Sequence, residues 1–199
     1  MNNNKSNITG ILLAGGLSKR MGREKGTLKI GDNLLFQYPL KVLERICGEI
    51  LISTCNDSTL PVDYPKVCDE VKGIGPMGGI YTCLKHSSND LNIIISYDMP
   101  LVSDALINHL IGESESFDMV LPALTADRPE PLCGLYRKNC VGIFEKCIEQ
   151  KVYAVHLAMA LSKSNVVLID EKMSFWNPRI FLNVNSEEDL EDLPKEYRN

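Results

Sequence analysis

No stretch of this chain approaches the ~20 consecutive apolar residues that a membrane-spanning helix needs. Histidine occurs three times and tryptophan once among 199 residues. No HExxH, GxSxG or Cys/His pairing pattern accompanies them, so zinc hydrolysis and serine-nucleophile chemistry have no signature. His86, His109 and His156 fall in predicted helices without partner patterns and read as structural or surface groups. Seven cysteines, at 47, 55, 68, 83, 133, 140 and 147, form an odd set without a CxxC pair, which argues against a disulfide framework or a zinc site. Cys133, Cys140 and Cys147 fit one strand cysteine and two on a helix face. Reduced thiols point to the cytosol. The 21 Lys and Arg are outnumbered by 26 Asp and Glu, a net charge of −5, which argues against a general binder of nucleic acid or of an anionic membrane. Residues 1–7 are polar and Asn-rich, lack the apolar centre of a signal peptide and read as a disordered lead-in. Residues 8–199 read as one domain.

Against this acidic background, Ile11 to Lys25 is the most informative segment. The apolar run Ile8 to Leu13 ends abruptly in Ala14-Gly15-Gly16, and a basic turn follows with Lys19, Arg20, Arg23 and Lys25. From Lys19 to Lys29, five Lys or Arg residues stand against one Glu, a local charge of about +4. Glycine removes Cβ atoms where a ligand must approach the main chain. Successive N–H groups in such a turn can form an anion-binding nest. A positive site on an acidic protein points to a small anionic ligand rather than to a nucleic-acid surface. The Walker pattern GxxxxGK[ST] is not met, because five residues separate Gly16 from Gly22 and Arg23 follows.

Apolar runs alternate with helical patterns through the rest of the chain. Strands are predicted at Ile8–Leu13, Ile50–Thr54, Lys66–Cys68, Asn92–Ser96, Met119–Pro122, Leu132–Tyr136, Val166–Ile169 and Ile180–Asn183. Helices are predicted at Phe36–Ile46, Met77–Lys85, Asp104–Ile111, Lys138–Glu149, Tyr153–Leu161 and Ser186–Leu193. Several strands are unbroken β-branched runs, as parallel strands buried on both faces are. Ser103-Asp104 and Asn185-Ser186 are placed to cap the third and last helices. The alternation predicts an α/β fold of three layers, with a doubly wound, mostly parallel sheet of Rossmann-like type. Ligands of such sheets sit beyond the carboxyl ends of the strands. A departure from plain alternation is expected between about Asp127 and Arg137.

Three further segments each allow a local and a ligand-directed reading. Gly73-Ile74-Gly75-Pro76-Met77-Gly78 formally matches GxGxxG, but Asp69 to Lys72 separates it from the preceding strand and Pro76 removes a donor, so it reads as a decoy. Gly75 to Gly79 is then either a helix N-terminus packed close to a ligand or a cap that needs glycine for its backbone. Asp98 falls just past a buried strand, where a carboxylate either holds Mg2+ beside substrate phosphates or closes an Asx turn. Asn183 and Asn185 lie on the same side of an extended segment. They either bind a polar substrate or support a metal, or they close and cap the turn before the last helix.

Taken in order, LLAGGLSKRMGREKG (Leu12 to Gly26), Asp69 with the GPMGG segment, YDMP (Tyr97 to Pro100) and FLNVNSEEDL (Phe181 to Leu190) resemble the molybdenum cofactor guanylyltransferase family, commonly called MobA. The resemblance spans about Thr9 to Leu190. Leu13-Ala14-Gly15-Gly16 and Gly75-Pro76-Met77-Gly78-Gly79 are similar to the guanylyl members, whereas related cytidylyltransferases show LAAG and lack GPLxG. The chain departs from the family pattern at Glu24, where Asp is usual, and at Tyr97, where Cys or Gly is usual. The asparagine that the family turns toward guanine falls near Thr54 or Asn56.

The resemblance implies a nucleotidyltransferase fold and transfer of GMP from GTP to molybdenum-molybdopterin, giving the guanine dinucleotide cofactor and pyrophosphate, with Mg2+ as cofactor. It implies catalytic roles for Arg20, Lys25 and Asp98, with Arg23 assisting. Leu13, Ala14, Gly15, Lys25, Asp69 and Asp98 would bind the nucleotide, Gly78, Asn183 and Asn185 the pterin substrate, and Asp98 the metal. Transient contact with other molybdenum cofactor biosynthesis proteins and molybdoenzyme chaperones is implied by the lability of the free cofactor, with neither nucleic acid nor membrane as a partner. Two other readings stay open: a related nucleotidyltransferase using CTP or a sugar-phosphate acceptor, and a non-catalytic nucleotide-binding protein.

Overall fold

The computed structural model describes residues 7–15, 28–54, 60–186 and 188–198. In chain order it holds β1 (Ile8–Leu13), a hairpin of β2 (Lys29–Ile30) and β3 (Asn33–Leu34), α1 (Gln37–Ile46), β4 (Glu49–Ser53), β5 (Lys66–Val67), α2 (Pro76–His86) and β6 (Leu91–Ser96). There follow α3 (Asp104–Gly112), β7 (Met119–Ala123), β8 (Cys133–Arg137), α4 (Cys140–Glu149), α5 (Val155–Ala158), β9 (Ser164–Leu168) and one last turn of helix, α6 (Lys195–Arg198).

Every residue of β1 is buried because both of its faces are covered. Ile8 and Leu12 enter one core, Ile11 and Leu13 the other. β6 repeats the alternation, with Ile93 and Ile95 on the first side and Ile94 on the second. α1 and α3 fill the first core through Leu40, Leu43, Leu106 and Leu110, while α2 and α4 fill the second through Met77, Ile80, Cys140 and Phe144. Each such Leu, Ile, Met or Phe side chain contributes roughly 1.5–3 kcal/mol on burial. The result is the three-layer α/β arrangement that the sequence predicts. Ser103 caps α3 as expected, its hydroxyl accepting the Leu106 N–H at 3.3 Å.

The main sheet has seven strands in the order β5-β4-β1-β6-β8-β7-β9. β5, β4, β1 and β6 pair in parallel, as do β7 and β9. β8 runs antiparallel to both of its neighbours, with Cys133 opposite Ile95. This reversal falls in the Asp127–Arg137 stretch where a departure is expected. Cys133 sits in β8, and Cys140 and Cys147 in α4, all three buried. The cysteines among the described residues are free thiols, and burial pushes those of Cys83 and Cys140 up to about 12.

The carboxyl-terminal quarter needs correction. Residues 180–183 form no strand, because the Ile180 and Leu182 N–H groups bond back to the Asn177 and Arg179 carbonyls in successive turns. In place of the helix expected at Ser186–Leu193 there is a 3-10 turn over Glu188–Asp192. Its capping is reversed, since the Asp189 carboxylate accepts the N–H groups of Asn185 at 2.6 Å and Ser186 at 2.9 Å. The helix expected at Tyr153–Leu161 begins only at Val155 and tightens to 3-10 geometry from Met159. Ile180, Val184 and Leu193 nevertheless anchor this segment in the first core.

Candidate functional site

Four strand ends meet at one edge of the sheet. The Leu13 carbonyl, at the end of β1, accepts the Tyr97 N–H at 3.0 Å, and the Ala14 N–H donates to the Ser53 carbonyl, at the end of β4, at 2.8 Å. The Thr54 N–H continues the line to the Val67 carbonyl, at the end of β5, at 3.0 Å. Leu13, Ala14 and Gly15 thus leave the sheet stitched to the acidic loop on one side and to β4 on the other. Exposure rises along these three residues, from buried Leu13 to exposed Gly15. This is the place where a doubly wound sheet leaves room for a ligand.

The N-terminus of α2 closes one side of that edge. Its cap, Gly75, has φ +66°, a left-handed conformation that glycine adopts without steric cost. Pro76 takes the first helical position, where a missing N–H costs little. The GxGxxG match is therefore a helix start: β5 ends at Val67, and no strand runs into Gly73. Gly78 and Gly79 then bring the helix against the loop after β5. An ideal Cβ at Gly79 would overlap the Ser53 hydroxyl, and one at Gly78 would lie 3.1 Å from the Asp69 carboxylate. Asp69 sits half-buried beside this first turn, and burial raises its pKa above the usual value.

Asp98 occupies the turn after β6, and its Oδ1 is shut off from solvent. The Asp98 carbonyl accepts the Val184 N–H at 2.9 Å, which places Asn183 and Asn185 on either side of this bond. The Asn183 amide donates to the Phe181 carbonyl at 3.2 Å and the Asn185 amide to the Asn183 carbonyl at 3.4 Å. The Asn183 amide thus closes a local turn, whereas the cap expected of Asn185 is absent, because Asp189 accepts the N–H groups there.

Two residues of this edge escape the sequence reading. Ser53 is 2% exposed and bonds Cys83; a lone serine ending an apolar strand is the signal that could have found it. Glu130 stands in the segment ahead of β8, between Pro129 and Pro131. Its N–H bonds the Pro122 carbonyl at 2.8 Å, and its carboxylate accepts the Leu132 N–H at 3.0 Å. The Leu132 carbonyl in turn accepts the Ser96 N–H at 2.8 Å. Burial raises the Glu130 pKa, the Leu132 N–H opposes the rise, and the nearby Asp98 charge adds to it.

Arg20, Arg23, Lys25 and Asn56 lie outside the described residues. Among the described ones, Leu13, Ala14, Gly15, Asp69 and Gly78 gather on the side of α2, and Asp98, Asn183 and Asn185 on the other, joined through the Leu13–Tyr97 bond. His86 is exposed, with Nδ1 2.9 Å from the Thr82 carbonyl, and His109 packs its ring on Phe175. No group of three or more His, Cys, Asp and Glu side chains is gathered as a metal cluster among the described residues. The carboxylates of Asp98 and Glu130 do fit Mg2+, a hard cation that takes one or two carboxylates and draws its other ligands from phosphates and water.

The family model of the MobA-like NTP transferase domain matches residues 10–165. The chain is 30% identical over 186 residues to a protein of Flavobacterium johnsoniae described as a probable molybdenum cofactor guanylyltransferase, covering 94% of this chain and 96% of that one. A protein of the same description from Clostridium perfringens is 30% identical, with 92% and 94% covered. Among solved structures, the molybdopterin-guanine dinucleotide biosynthesis protein A of Archaeoglobus fulgidus superposes with a TM-score of 0.76 at 22% identity, covering 92% of this chain and 95% of that one. A 4-diphosphocytidyl-2C-methyl-D-erythritol synthase from Anaerococcus prevotii reaches 0.68 at 13% identity, covering 94% and 96%. At such identities the two structures speak for the fold. The family match over most of the chain and the full-length relatives together place the protein: it belongs to the MobA-like NTP transferase family and is a nucleotidyltransferase.

Proposed function

We propose that this enzyme transfers GMP from GTP to the terminal phosphate of molybdenum-bound molybdopterin, forming the guanine dinucleotide cofactor and pyrophosphate. The observation that carries the reading is the full-length likeness to proteins described as molybdenum cofactor guanylyltransferases, in a chain whose β1 end, Asp69 loop and Asp98 loop share one sheet edge. A phosphate oxygen of the pterin forms the new bond to the α-phosphorus as the bond to the pyrophosphate oxygen breaks, and the electron pair leaves with pyrophosphate. That phosphate is already ionised at neutral pH, so alignment and charge neutralisation matter more than a strong base.

Each residue has a role in this reading. Leu13, Ala14 and Gly15 offer backbone to guanine and ribose, and Asp69 bonds the nucleotide from the side of α2. Arg20 clamps the leaving pyrophosphate with help from Arg23, and Lys25 neutralises charge at the α-phosphate. Asp98 would hold Mg2+, which when bound neutralises phosphate charge. Gly78, Asn183 and Asn185 line the pterin side. The enzyme works in the cytoplasm and hands its product to other cofactor biosynthesis proteins or molybdoenzyme chaperones. Among the described residues no helix is long and apolar enough to cross a membrane.

The test offers GTP, CTP, ATP or UTP with Mg2+, with and without molybdopterin, and follows pyrophosphate. Release with GTP alone, and only when the pterin is present, is the expected result. Preference for CTP would overturn the base assignment, and nucleotide binding without release in any mixture would overturn the acceptor.

A further inference from the structure

We propose that Glu130 is a second oxygen donor to the divalent cation held at Asp98; the assignment rests on the nucleotidyltransferase reading of that site. The placement is geometric. Glu130 is fixed by its own N–H on the Pro122 carbonyl at 2.8 Å, and the next residue is fixed by the Tyr136 hydroxyl on the Pro131 carbonyl at 2.7 Å. The side chain turns back onto the Leu132 N–H at 3.0 Å. Leu132 itself is hydrogen-bonded to Ser96, two residues before Asp98, at 2.8 Å. The two carboxylates are thereby held at the same strand end, close enough for the Asp98 charge to act on Glu130.

A hydrogen-bond acceptor for Leu132 could have been an amide. A carboxylate adds negative charge beside negative charge, which is unfavourable until a proton or a cation relieves it. Among the described residues no Lys, Arg or His forms an ion pair with Glu130. A divalent cation of oxygen preference is the ligand that this pair suits, with substrate phosphates supplying the remaining positions.

Mn2+ titrations of the full-length protein, followed by electron paramagnetic resonance without pterin, test the assignment apart from turnover. Glu130→Gln keeps an acceptor for the Leu132 N–H and removes the charge. It is expected to weaken Mn2+ binding by about tenfold, with the melting temperature unchanged. Glu130→Asp, which keeps the charge but withdraws it by one methylene, is expected to fall between the two. Wild-type Mn2+ affinity in Glu130→Gln overturns the assignment; should that variant fail to fold, wild-type affinity in Glu130→Asp does so. Asp98→Asn run in parallel separates the two levels. If it abolishes Mn2+ binding while Glu130→Gln does not, only Glu130 is wrongly assigned. If neither variant alters binding, the reading of the site as a metal site fails as well.

Discussion

A side-chain carbon on Gly78 would stand 2.7 Å from the carbonyl oxygen of Val71. The obstacle is main chain, so it cannot rotate aside, and the 69–74 loop would have to move with Asp69. Gly78→Ala is therefore expected to cost about 1–3 kcal/mol of stability, as overpacking does, and to weaken GTP binding. Urea unfolding and a GTP titration read the two effects. A variant as stable as wild type would show that the loop yields freely.

Asp98→Asn is nearly isosteric and removes one charge. It is expected to leave the melting temperature close to that of wild type while raising the Mg2+ concentration needed for half-maximal turnover. Unchanged metal dependence would refute Asp98 as a ligand.

Lys25→Ala is expected to lower turnover by on the order of 10²–10³, the loss typical of one preorganised group that meets charge in the transition state. Single-turnover kinetics with saturating GTP is the measurement. Near-normal rates would remove Lys25 from the proposed mechanism.

Tyr136 is fully buried, and its hydroxyl supports the Pro131 carbonyl. Tyr136→Phe deletes that bond at a cost of about 1 kcal/mol, or roughly 2–4 °C in melting temperature for a chain of this size. If Glu130 acts on the metal, the same variant should also weaken Mn2+ binding, because the residue following Glu130 loses a support.

At the opposite end of the sheet, Glu49 ties β4 to β1. Burial acts to raise its pKa, but the Thr9 hydroxyl, the Ser88 N–H and hydroxyl, and the Lys138 charge outweigh it and hold the group below its ordinary 4.5. A carboxylate depressed in the folded state contributes stability above its unfolded pKa and loses it as pH falls through the folded one. The urea midpoint of wild type should therefore drop between roughly pH 5 and pH 3, and that of Glu49→Gln should drop less. Parallel slopes would mean that other carboxylates carry the acid sensitivity.

The parallel core was legible because burial on both faces writes itself into β1 and β6 as unbroken apolar runs. The α2 start was legible from Gly75-Pro76, whose backbone requirements are local. The β2–β3 hairpin was not, since two-residue strands are too short to show a period. Ile180 to Asn183 misled for the converse reason. Its apolar residues satisfy a strand pattern, yet the Asn177 and Arg179 carbonyls capture its N–H groups first. Within the candidate site, Asp98 stood out by following a buried strand. Glu130 did not, because its neighbourhood depends on a strand whose reversed direction no local pattern records.

That reversed strand has a consequence for the whole sheet. β6 and β7 share no ladder; each is joined to β8. The sheet is in effect two panels, β5-β4-β1-β6 and β7-β9, hinged along one seam. The loops after β1 and β6 ride on the first panel, while the Glu130 segment hangs from the second by the Pro122 carbonyl. The alignment of the acidic edge is therefore set by the Leu132–Ser96 bond and by the pairing of five residues, Cys133 to Arg137, none of which touches substrate or metal in the proposed chemistry.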